Sequence, residues 1–258
     1  MILDVATPVV KHIRLHKDRI QAVFKFQYIY KLFFMTSPVN LRFGAREILP
    51  LSIKRQVHPS VSSRAKRILD IFGAIVGLAL TGIIAIPIAI AMWLDDPGSI
   101  FYSQTRCGLQ GKTFKIWKFR SMIADADRQK HLVENQAKGY IFKNENDPRI
   151  TKVGRFLRRT SLDEFPQFWN VLKGDMSLVG TRPPTIDEVA MYEERHFQRL
   201  SVKPGITGEW QVRGRSEVLD FEDIVKMDLN YQKRWSFFYD LNLIFQTVAV
   251  VLARKGAC

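Results

Sequence analysis

One uncharged apolar stretch dominates the pattern of hydrophobic and polar positions along the chain. It runs from Ile71 to Leu94, and none of its twenty-four residues carries a charged side chain. As an α-helix it would be about 36 Å long, which exceeds the roughly 30 Å hydrocarbon core of a bilayer. The pattern therefore predicts a membrane helix within residues 64–95.

Two features of this stretch oppose a simple crossing. Pro87 lies inside it and lacks a backbone donor, so the helix is expected to kink or break there. Both flanks are basic, and cations near a membrane helix favour the cytoplasmic side. A re-entrant helix that bends near Pro87 satisfies both flanks, while a straight crossing stays open as the alternative. The flanking cations are Arg64, Lys66 and Arg67 on one side and Arg106, Lys112, Lys115 and Lys118 on the other.

The remaining pattern predicts a mainly α domain with a small β hairpin over residues 96–258. Asp95–Gly98 reads as a turn, and the apolar runs at 100–102 and 114–117 are typical of the two strands of a hairpin. A polar helical pattern covers 125–139. Apolar residues at helical spacing predict further helices over 165–172, 186–200, 221–235 and 241–252.

Residues 1–63 form a basic N-terminal extension, with ten Lys and Arg against three acidic residues. Between Lys11 and Phe34 the segment begins basic and becomes aromatic, which suits a helix lying on an anionic membrane surface. A solvated helix packed on the main domain fits the same pattern. Both interpretations stay open.

The whole chain of 258 residues has a formal charge of +14 and is 47% hydrophobic, so a disordered tail protein is excluded. The charge favours nucleic acid, anionic lipid or phosphorylated small molecules as partners, without choosing among them. The two cysteines, Cys107 and Cys258, are far apart in sequence. They exclude a disulfide framework and a cysteine zinc site, and fit a reducing, cytoplasm-facing chain.

Candidate chemistry concentrates between Asp147 and Pro184. An acidic pair, Asp163 and Glu164, is preceded by five cations and followed by Arg182. A guanidinium holds phosphate through paired hydrogen bonds. A neighbouring carboxylate could attack phosphorus while the second helps to hold Mg²⁺. The five preceding cations are Arg149, Lys152, Arg155, Arg158 and Arg159.

A purely structural interpretation competes at this point. Ser161 to Glu164 also matches an S-x-x-E capping box, and Pro166 is acceptable in a first helical turn. The two interpretations are compatible, because a helix N-terminus attracts phosphate.

The ordered motifs over about three quarters of the chain resemble the bacterial sugar transferase family, the monotopic polyprenyl-phosphate phosphoglycosyl transferases. Each motif is weak alone, but their order along the chain is highly specific. They are KRILD at 66–70, GLQGKTFKIWKFRSM at 108–122, SLDEFPQFWNVLKGDMSLVG at 161–180, RP at 182–183, PGITGEWQVRGR at 204–215 and WSFFYDL at 235–241.

The resemblance implies a re-entrant membrane helix and an active site at the cytoplasmic face of the bacterial inner membrane. The implied enzyme transfers a sugar 1-phosphate from a nucleotide diphosphate sugar, such as a UDP-hexose, to polyprenyl phosphate and begins exopolysaccharide or other glycoconjugate synthesis. Asp163 maps onto the nucleophile of a covalent phosphosugar intermediate, and Glu164 onto the Mg²⁺ ligand. The implied substrate-binding residues are Lys118, Arg120, Arg158, Arg182 and Arg215.

Three residues depart from the family pattern. Thr181 replaces a proline before the Arg-Pro pair, Ile86 replaces a serine before the helix proline, and Glu209 stands where an apolar residue is common. These departures put the nucleotide loop and the helix bend in doubt, but they do not touch the Asp-Glu pair.

The rival functions are a basic membrane-attached nucleic-acid-binding protein and an inactive membrane scaffold. A nucleic-acid reader motif is not recognisable, so nucleic acid is not the expected partner. The intact acidic pair and arginines oppose loss of catalysis. Sugar identity, pathway and homo-oligomerisation stay open.

Overall fold

The long apolar stretch forms a single helix in the computed structural model, which describes residues 56–214 and 218–253. After a short helix α1 (Pro59–Ser62), helix α2 spans Arg64–Asp95. The Ser63 side chain caps it by accepting from the backbone N–H of Lys66. Helix α2 continues through Pro87, so the chain does not break there, and a bend at Pro87 stays a prediction. A proline removes one backbone donor, and the neighbouring turns keep the helix intact.

The predicted hairpin is confirmed. Strands β1 (Phe101–Cys107) and β2 (Thr113–Phe119) are antiparallel, with Phe101 opposite Phe119 and Cys107 opposite Thr113. The turn between them contains Gln110 with a φ of 52°.

Short helices and a second, parallel strand pair complete the described domain. The helices predicted over 165–172, 221–235 and 241–252 are confirmed, while the one predicted over 186–200 divides into a short α-helix and a 3-10 segment. The α-helices are α3 (Lys152–Thr160), α4 (Gln167–Lys173), α5 (Ile186–Ala190), α6 (Glu209–Arg213), α7 (Phe221–Arg234) and α8 (Phe237–Leu252); the strands are β3 (Ser177–Val179) and β4 (Gly205–Thr207); the 3-10 segments outside the hairpin are Lys130–Leu132, Leu162–Glu164 and Glu194–Ser201.

The helix expected over 125–139 is wrong. The segment forms successive turns and the 3-10 segment Lys130–Leu132. The Asn135 side chain bonds to the backbone of Ala137, Ile141 and Lys143, and such local side-chain bonds compete with helix formation.

Helix α2 packs closely on the domain through two glycines. A Cβ on Gly77 would lie 2.4 Å from the Phe168 ring of α4, and one on Gly73 would lie 2.5 Å from Leu178 of β3. Ala74 of α2 is buried and belongs to the same hydrophobic core cluster as Val171 of α4 and Leu178 of β3.

Both ends of α2 are fixed to the same domain by polar contacts. Near its start, the buried ammonium of Lys66 lies 2.7 Å from Asp240 of α8 and donates to the backbone oxygen of Val179 at 2.9 Å. At its end, an Asp95 carboxylate oxygen accepts from the backbone N–H of Val153 at 2.8 Å. The domain therefore holds both ends of a helix that is about 48 Å long.

The outer side of α2 exposes many large apolar side chains, and α8 does the same. By length and composition α2 could cross a membrane. Exposed apolar surface of this extent is typical of membrane contact. The most exposed of these residues are Ile68, Phe72, Ile83, Ile86, Trp93 and Leu94 on α2, and Phe238, Phe245 and Leu252 on α8.

Candidate active site

A cleft of about 410 Å³ opens beside the hairpin, and it brings most of the predicted site residues together. Its walls come from β1, β2, the loop after β2, helix α3, the turn at Leu162–Glu164 and the loop at 182–185. Arg215 lies outside the described residues. The predicted residues that line the cleft are Lys118, Arg120, Arg158, Asp163, Glu164 and Arg182.

The acidic pair lies on a 3-10 turn rather than in a capping box. Ser161 has a φ of 60° and ends α3, with its backbone N–H bonded to the carbonyls of Leu157 and Arg158. Its side chain makes no capping hydrogen bond to the turn that follows. The capping-box interpretation is therefore wrong, because the left-handed conformation of Ser161 reverses the chain where a cap would be extended.

The two carboxylates of the pair have different surroundings. Asp163 is 6% exposed, whereas the Glu164 side chain is 28% exposed and one of its oxygens lies 2.9 Å from the ammonium of Lys118 on β2. The turn thus places one carboxylate in the wall of the cleft and extends the other toward a cation.

Arg158 reaches the cleft because α3 lies very close to the chain after β2. Gly154 permits this approach, since a Cβ there would lie 1.9 Å from the backbone oxygen of Ser121. The Nε of Arg158 donates to the Ser121 hydroxyl at 2.9 Å. Burial lowers the pKa of the Arg158 guanidinium, and the charge of Asp163 opposes that shift. The guanidinium and the Asp163 carboxylate therefore influence each other across the cleft wall.

Arg182 is held by a carboxylate that sequence reasoning missed. Its two terminal nitrogens donate to the two oxygens of Glu188 at 2.8 and 3.2 Å. Burial alone would raise the pKa of the Glu188 carboxyl, but the Arg182 guanidinium outweighs it and holds that pKa below its ordinary value.

Arg106 was also missed as a cleft residue. It donates to the backbone oxygen of Pro183 at 3.0 Å and joins β1 to the loop that carries Arg182. Burial, with the charge of Arg182, lowers its pKa to about 10. A signal existed in the sequence: Tyr102, Gln104 and Arg106 alternate along β1 and all line the cleft, as period-two strand positions should.

Two cleft arginines are already committed to neighbouring acids. Arg120 pairs with Asp96 and donates to the backbone oxygen of Ser99, while the buried Arg149 pairs with Asp147 at 2.6 Å. Their main contacts therefore fix the loop after α2 and the segment before α3. Three further cations of the predicted cluster are exposed on α3 and do not line the cleft, namely Lys152, Arg155 and Arg159.

The departures from the family pattern have structural accounts. The buried Thr181 hydroxyl donates to the backbone oxygen of Arg199 at 3.2 Å, and Glu209 accepts from Asn230 at 2.5 Å and lies 3.2 Å from Arg213. Ile86 is 69% exposed on the outer side of α2. Thr181 and Glu209 therefore make specific polar contacts, although the second carboxylate oxygen of the buried Glu209 has no hydrogen-bond partner among the described residues.

The donor set fits Mg²⁺ without forming a complete cage. In the described ranges, 56–214 and 218–253, acidic, histidine and cysteine side chains do not form a metal-binding group of three. Mg²⁺ usually binds one or two carboxylates together with substrate phosphates. Glu164 and Asp163 supply such oxygens in the cleft, so the ion would need the substrate to complete its coordination.

Comparison with known proteins identifies relatives of this chain. Residues 61–254 match the family model described as bacterial sugar transferase. The chain is 53% identical over 195 residues to the galactosyl transferase CpsE of Streptococcus agalactiae, covering 75% of this chain and 43% of that protein. It is 43% identical over 205 residues to the UDP-glucose:undecaprenyl-phosphate glucose-1-phosphate transferase of Escherichia coli, covering 76% and 42%.

A shorter relative matches over most of its length. The exopolysaccharide production protein ExoY of Rhizobium meliloti is 36% identical over 203 residues, which cover 76% of this chain and 89% of that protein. The chain spans less than half the length of the Streptococcus and Escherichia relatives. Because the family model covers residues 61–254, about three quarters of the sequence, the chain belongs to the bacterial sugar transferase family.

Proposed function

We propose that this protein transfers a hexose 1-phosphate from a UDP-hexose to polyprenyl phosphate at the start of exopolysaccharide or other glycoconjugate synthesis. The observation that carries the proposal is the cleft in which Asp163 and Glu164 lie with Arg158, Arg182 and Lys118. The names of the relatives support the substrate class: one is a galactosyl transferase and another a UDP-glucose transferase that acts on undecaprenyl phosphate.

The reaction assigned to Asp163 has two displacements at one phosphorus. A carboxylate oxygen of Asp163 attacks the phosphorus that carries the sugar, and the bond to the nucleoside monophosphate breaks. An oxygen of polyprenyl phosphate then attacks the same phosphorus, the bond to Asp163 breaks, and a polyprenyl diphosphate sugar is released. A covalent intermediate of this kind divides one difficult transfer into two easier steps.

The cations would bind the phosphates and stabilise the charge that develops on them. Arg158 lies close enough to Asp163 for the carboxylate charge to act on its pKa, and Arg182 is oriented by Glu188. Fixed donors of this type stabilise transferring phosphoryl groups without reorganisation during the reaction. Glu164 would hold Mg²⁺ against the substrate, and the ion supplies further neutralisation of phosphate charge.

The contacts of α2 support a re-entrant position at the cytoplasmic face of the inner membrane. Lys66 and Asp95, near the two ends of α2, both bond to the same polar domain. A helix that simply crossed the bilayer would separate those ends by the whole hydrocarbon core. Nucleotide sugars and the cleft then share the cytoplasm, while the outer side of α2 contacts lipid.

The first test is the variant Asp163→Asn. We expect it to stay folded and to lose turnover, because the amide keeps the shape of the side chain but cannot act as the anionic nucleophile. With a donor labelled at the sugar-linked phosphate and no acceptor, denatured wild type should retain label and the variant should not. Asp125→Asn is the matched control, since Asp125 is exposed and outside the cleft. Normal turnover by Asp163→Asn would exclude the covalent route.

The donor is identified by a panel of UDP-sugars with polyprenyl phosphate and Mg²⁺, read as release of UMP. UDP-galactose or UDP-glucose should be the best donor. Preference for an acetamido sugar would contradict the assignment of a hexose, and release of UMP from none of them would contradict the proposed function.

A further inference from the structure

Helix α3 has two differently built sides, and only one belongs to the cleft. Gly154 and Leu157 are buried on its inner side, and Arg158 extends into the cleft. Four other side chains recur at spacings of three and four residues and therefore share the outer side. We name this outer side the α3 basic face, and it consists of Lys152, Arg155, Phe156 and Arg159, all exposed.

The cations of the α3 basic face are not neutralised by nearby acids. Lys152, Arg155 and Arg159 form no ion pair with any residue in the described part of the chain. Some exposed cations elsewhere do pair with acids: Arg195 lies 2.9 Å from Glu222, and Lys226 lies 2.8 Å from Asp223. Three positive charges on one short helix therefore face outward together, which fits an anionic partner.

The position of the α3 basic face indicates what that partner is. Helix α3 begins where the apolar helix α2 ends, since Asp95 accepts from the backbone N–H of Val153, and Leu157 packs on Ile88 and Met92. The last turn of α2 exposes Trp93 at 67% and Leu94 at 71%. If α2 lies in the hydrocarbon, the adjacent cations lie at the depth of the headgroups.

Phe156 lies at the edge of the α3 basic face that is nearest to α2, and this edge is directed toward lipid. At 100° per residue around the helix, Phe156 lies between the three cations and the side on which Val153 and Leu157 meet α2. Phe156 is 46% exposed. An aromatic residue between cations and an apolar helix suits the boundary between headgroups and acyl chains.

We propose that the α3 basic face binds the headgroups of anionic phospholipids, and so fixes the cleft at the membrane surface. The inference rests on the membrane attachment of α2 proposed above. Each cation near an anionic bilayer contributes about a fivefold preference for it. Because Arg158 follows the face on the same rigid helix, lipid binding there also sets the height of the cleft above the bilayer.

The test measures local enrichment of lipid and does not depend on activity. A fluorescent donor is attached at Thr160→Cys in the full chain with Cys258→Ser; the remaining Cys107 is buried and burial raises its pKa to about 11, so it reacts poorly. Vesicles of phosphatidylcholine and phosphatidylglycerol carry an acceptor dye on one lipid or the other. We expect energy transfer to phosphatidylglycerol to exceed transfer to phosphatidylcholine by about twofold at low salt, and the difference to vanish near 1 M salt.

A triple variant and a matched control locate the effect. Lys152→Gln, Arg155→Gln and Arg159→Gln together should abolish the preference, while Arg155→Lys with Arg159→Lys should keep it. The control removes three exposed cations that lie outside α3: Lys138→Gln, Arg195→Gln and Lys226→Gln. It should leave the preference intact. If the triple variant does not fold, the salt titration of the wild type still tests whether the preference for phosphatidylglycerol is electrostatic.

Three results would overturn the proposal. The wild type could show no preference for phosphatidylglycerol, or the control could lose the preference as fully as the triple variant. The triple variant could also raise the KM for polyprenyl phosphate while keeping the lipid preference, in which case the face would serve the acceptor. Loss of UMP release in the wild type would count against the proposed function alone, because energy transfer needs no turnover.

Discussion

Gly154 permits the contact that places Arg158 beside Asp163, so Gly154→Ala tests whether that contact sets the reaction rate. A Cβ at this position would lie 1.9 Å from the Ser121 backbone oxygen, whereas real Cβ atoms stay at least 3.0 Å from such neighbours. The Cβ atom and the Ser121 oxygen are both fixed directly to the backbone, so neither can move away by a side-chain rotation. Helix α3 must therefore shift outward by about 1 Å.

The shift should cost activity more than stability. Displacing a positioned group by 1 Å can lower the rate about 100-fold, and Arg158 would move with α3 while Asp163 stays on its turn. Overpacking typically costs about 1–3 kcal/mol of unfolding free energy, of which the better helix propensity of alanine returns about 1 kcal/mol. We therefore expect kcat for UMP release to fall about 100-fold and the unfolding free energy to fall by about 0–2 kcal/mol.

Gly82→Ala is the matched control, because a Cβ at Gly82 of α2 has nothing within 4 Å. It makes the same chemical change in a helix without a clash, and it should keep wild-type kcat. UMP release at saturating substrate and thermal unfolding in detergent are measured for both variants. An unchanged kcat for Gly154→Ala would refute the argument that close packing of α3 on Ser121 positions Arg158.

Further predictions concern metal, the Arg182 loop and topology. Glu164→Gln should weaken Mg²⁺ dependence, and EDTA should stop the wild type; full activity in metal-free buffer would remove Glu164 from that role. Glu188→Gln should raise the KM for the nucleotide sugar about tenfold, through loss of a charge-assisted pair, and leave the KM for polyprenyl phosphate unchanged; the reverse pattern would contradict a donor-side role. Single cysteines at Ser63 and Ser103 should both be shielded from an impermeant thiol reagent in intact cells, and labelling of only one would contradict the re-entrant model.

The parts of the fold that depend on local pattern were predictable from the sequence. The apolar run predicted α2, and short apolar runs separated by glycines predicted the hairpin. The apolar spacing over 221–235 predicted α7, whose observed bounds are Phe221–Arg234. The acidic pair could be singled out from the cations around it, but its residues alone also supported a helix cap, and the resemblance was needed to favour a catalytic role.

The parts that depend on distant contacts were not predictable. The bridge between Arg106 and Thr185 joins positions that no periodicity relates, and the left-handed Ser161 cannot be distinguished in sequence from an N-cap serine. The largest error in the predicted site concerned the positions of its cations. Adjacent arginines and lysines in one segment looked like a single phosphate-binding cluster, but at 100° per residue only Arg158 of α3 reaches the cleft, while Lys152, Arg155 and Arg159 lie on its exposed face.

The cleft arginines differ in how many of their N–H donors are already bonded within the protein. This difference distinguishes the arginines that stabilise the cleft from the one best able to bind phosphate. A guanidinium has five N–H donors. Arg149 uses its Nε and both terminal nitrogens on Asp147 and Ala126, and Arg120 uses the same three groups on Ser99 and Asp96. Arg158 gives its Nε to the Ser121 hydroxyl, which leaves its terminal nitrogens unbonded by residues 56–214 and 218–253. Phosphate binding by Arg120 or Arg149 would break an existing ion pair, which is partly buried for Arg120 and buried for Arg149. We therefore expect Arg158 to supply the paired hydrogen bonds to the transferring phosphate.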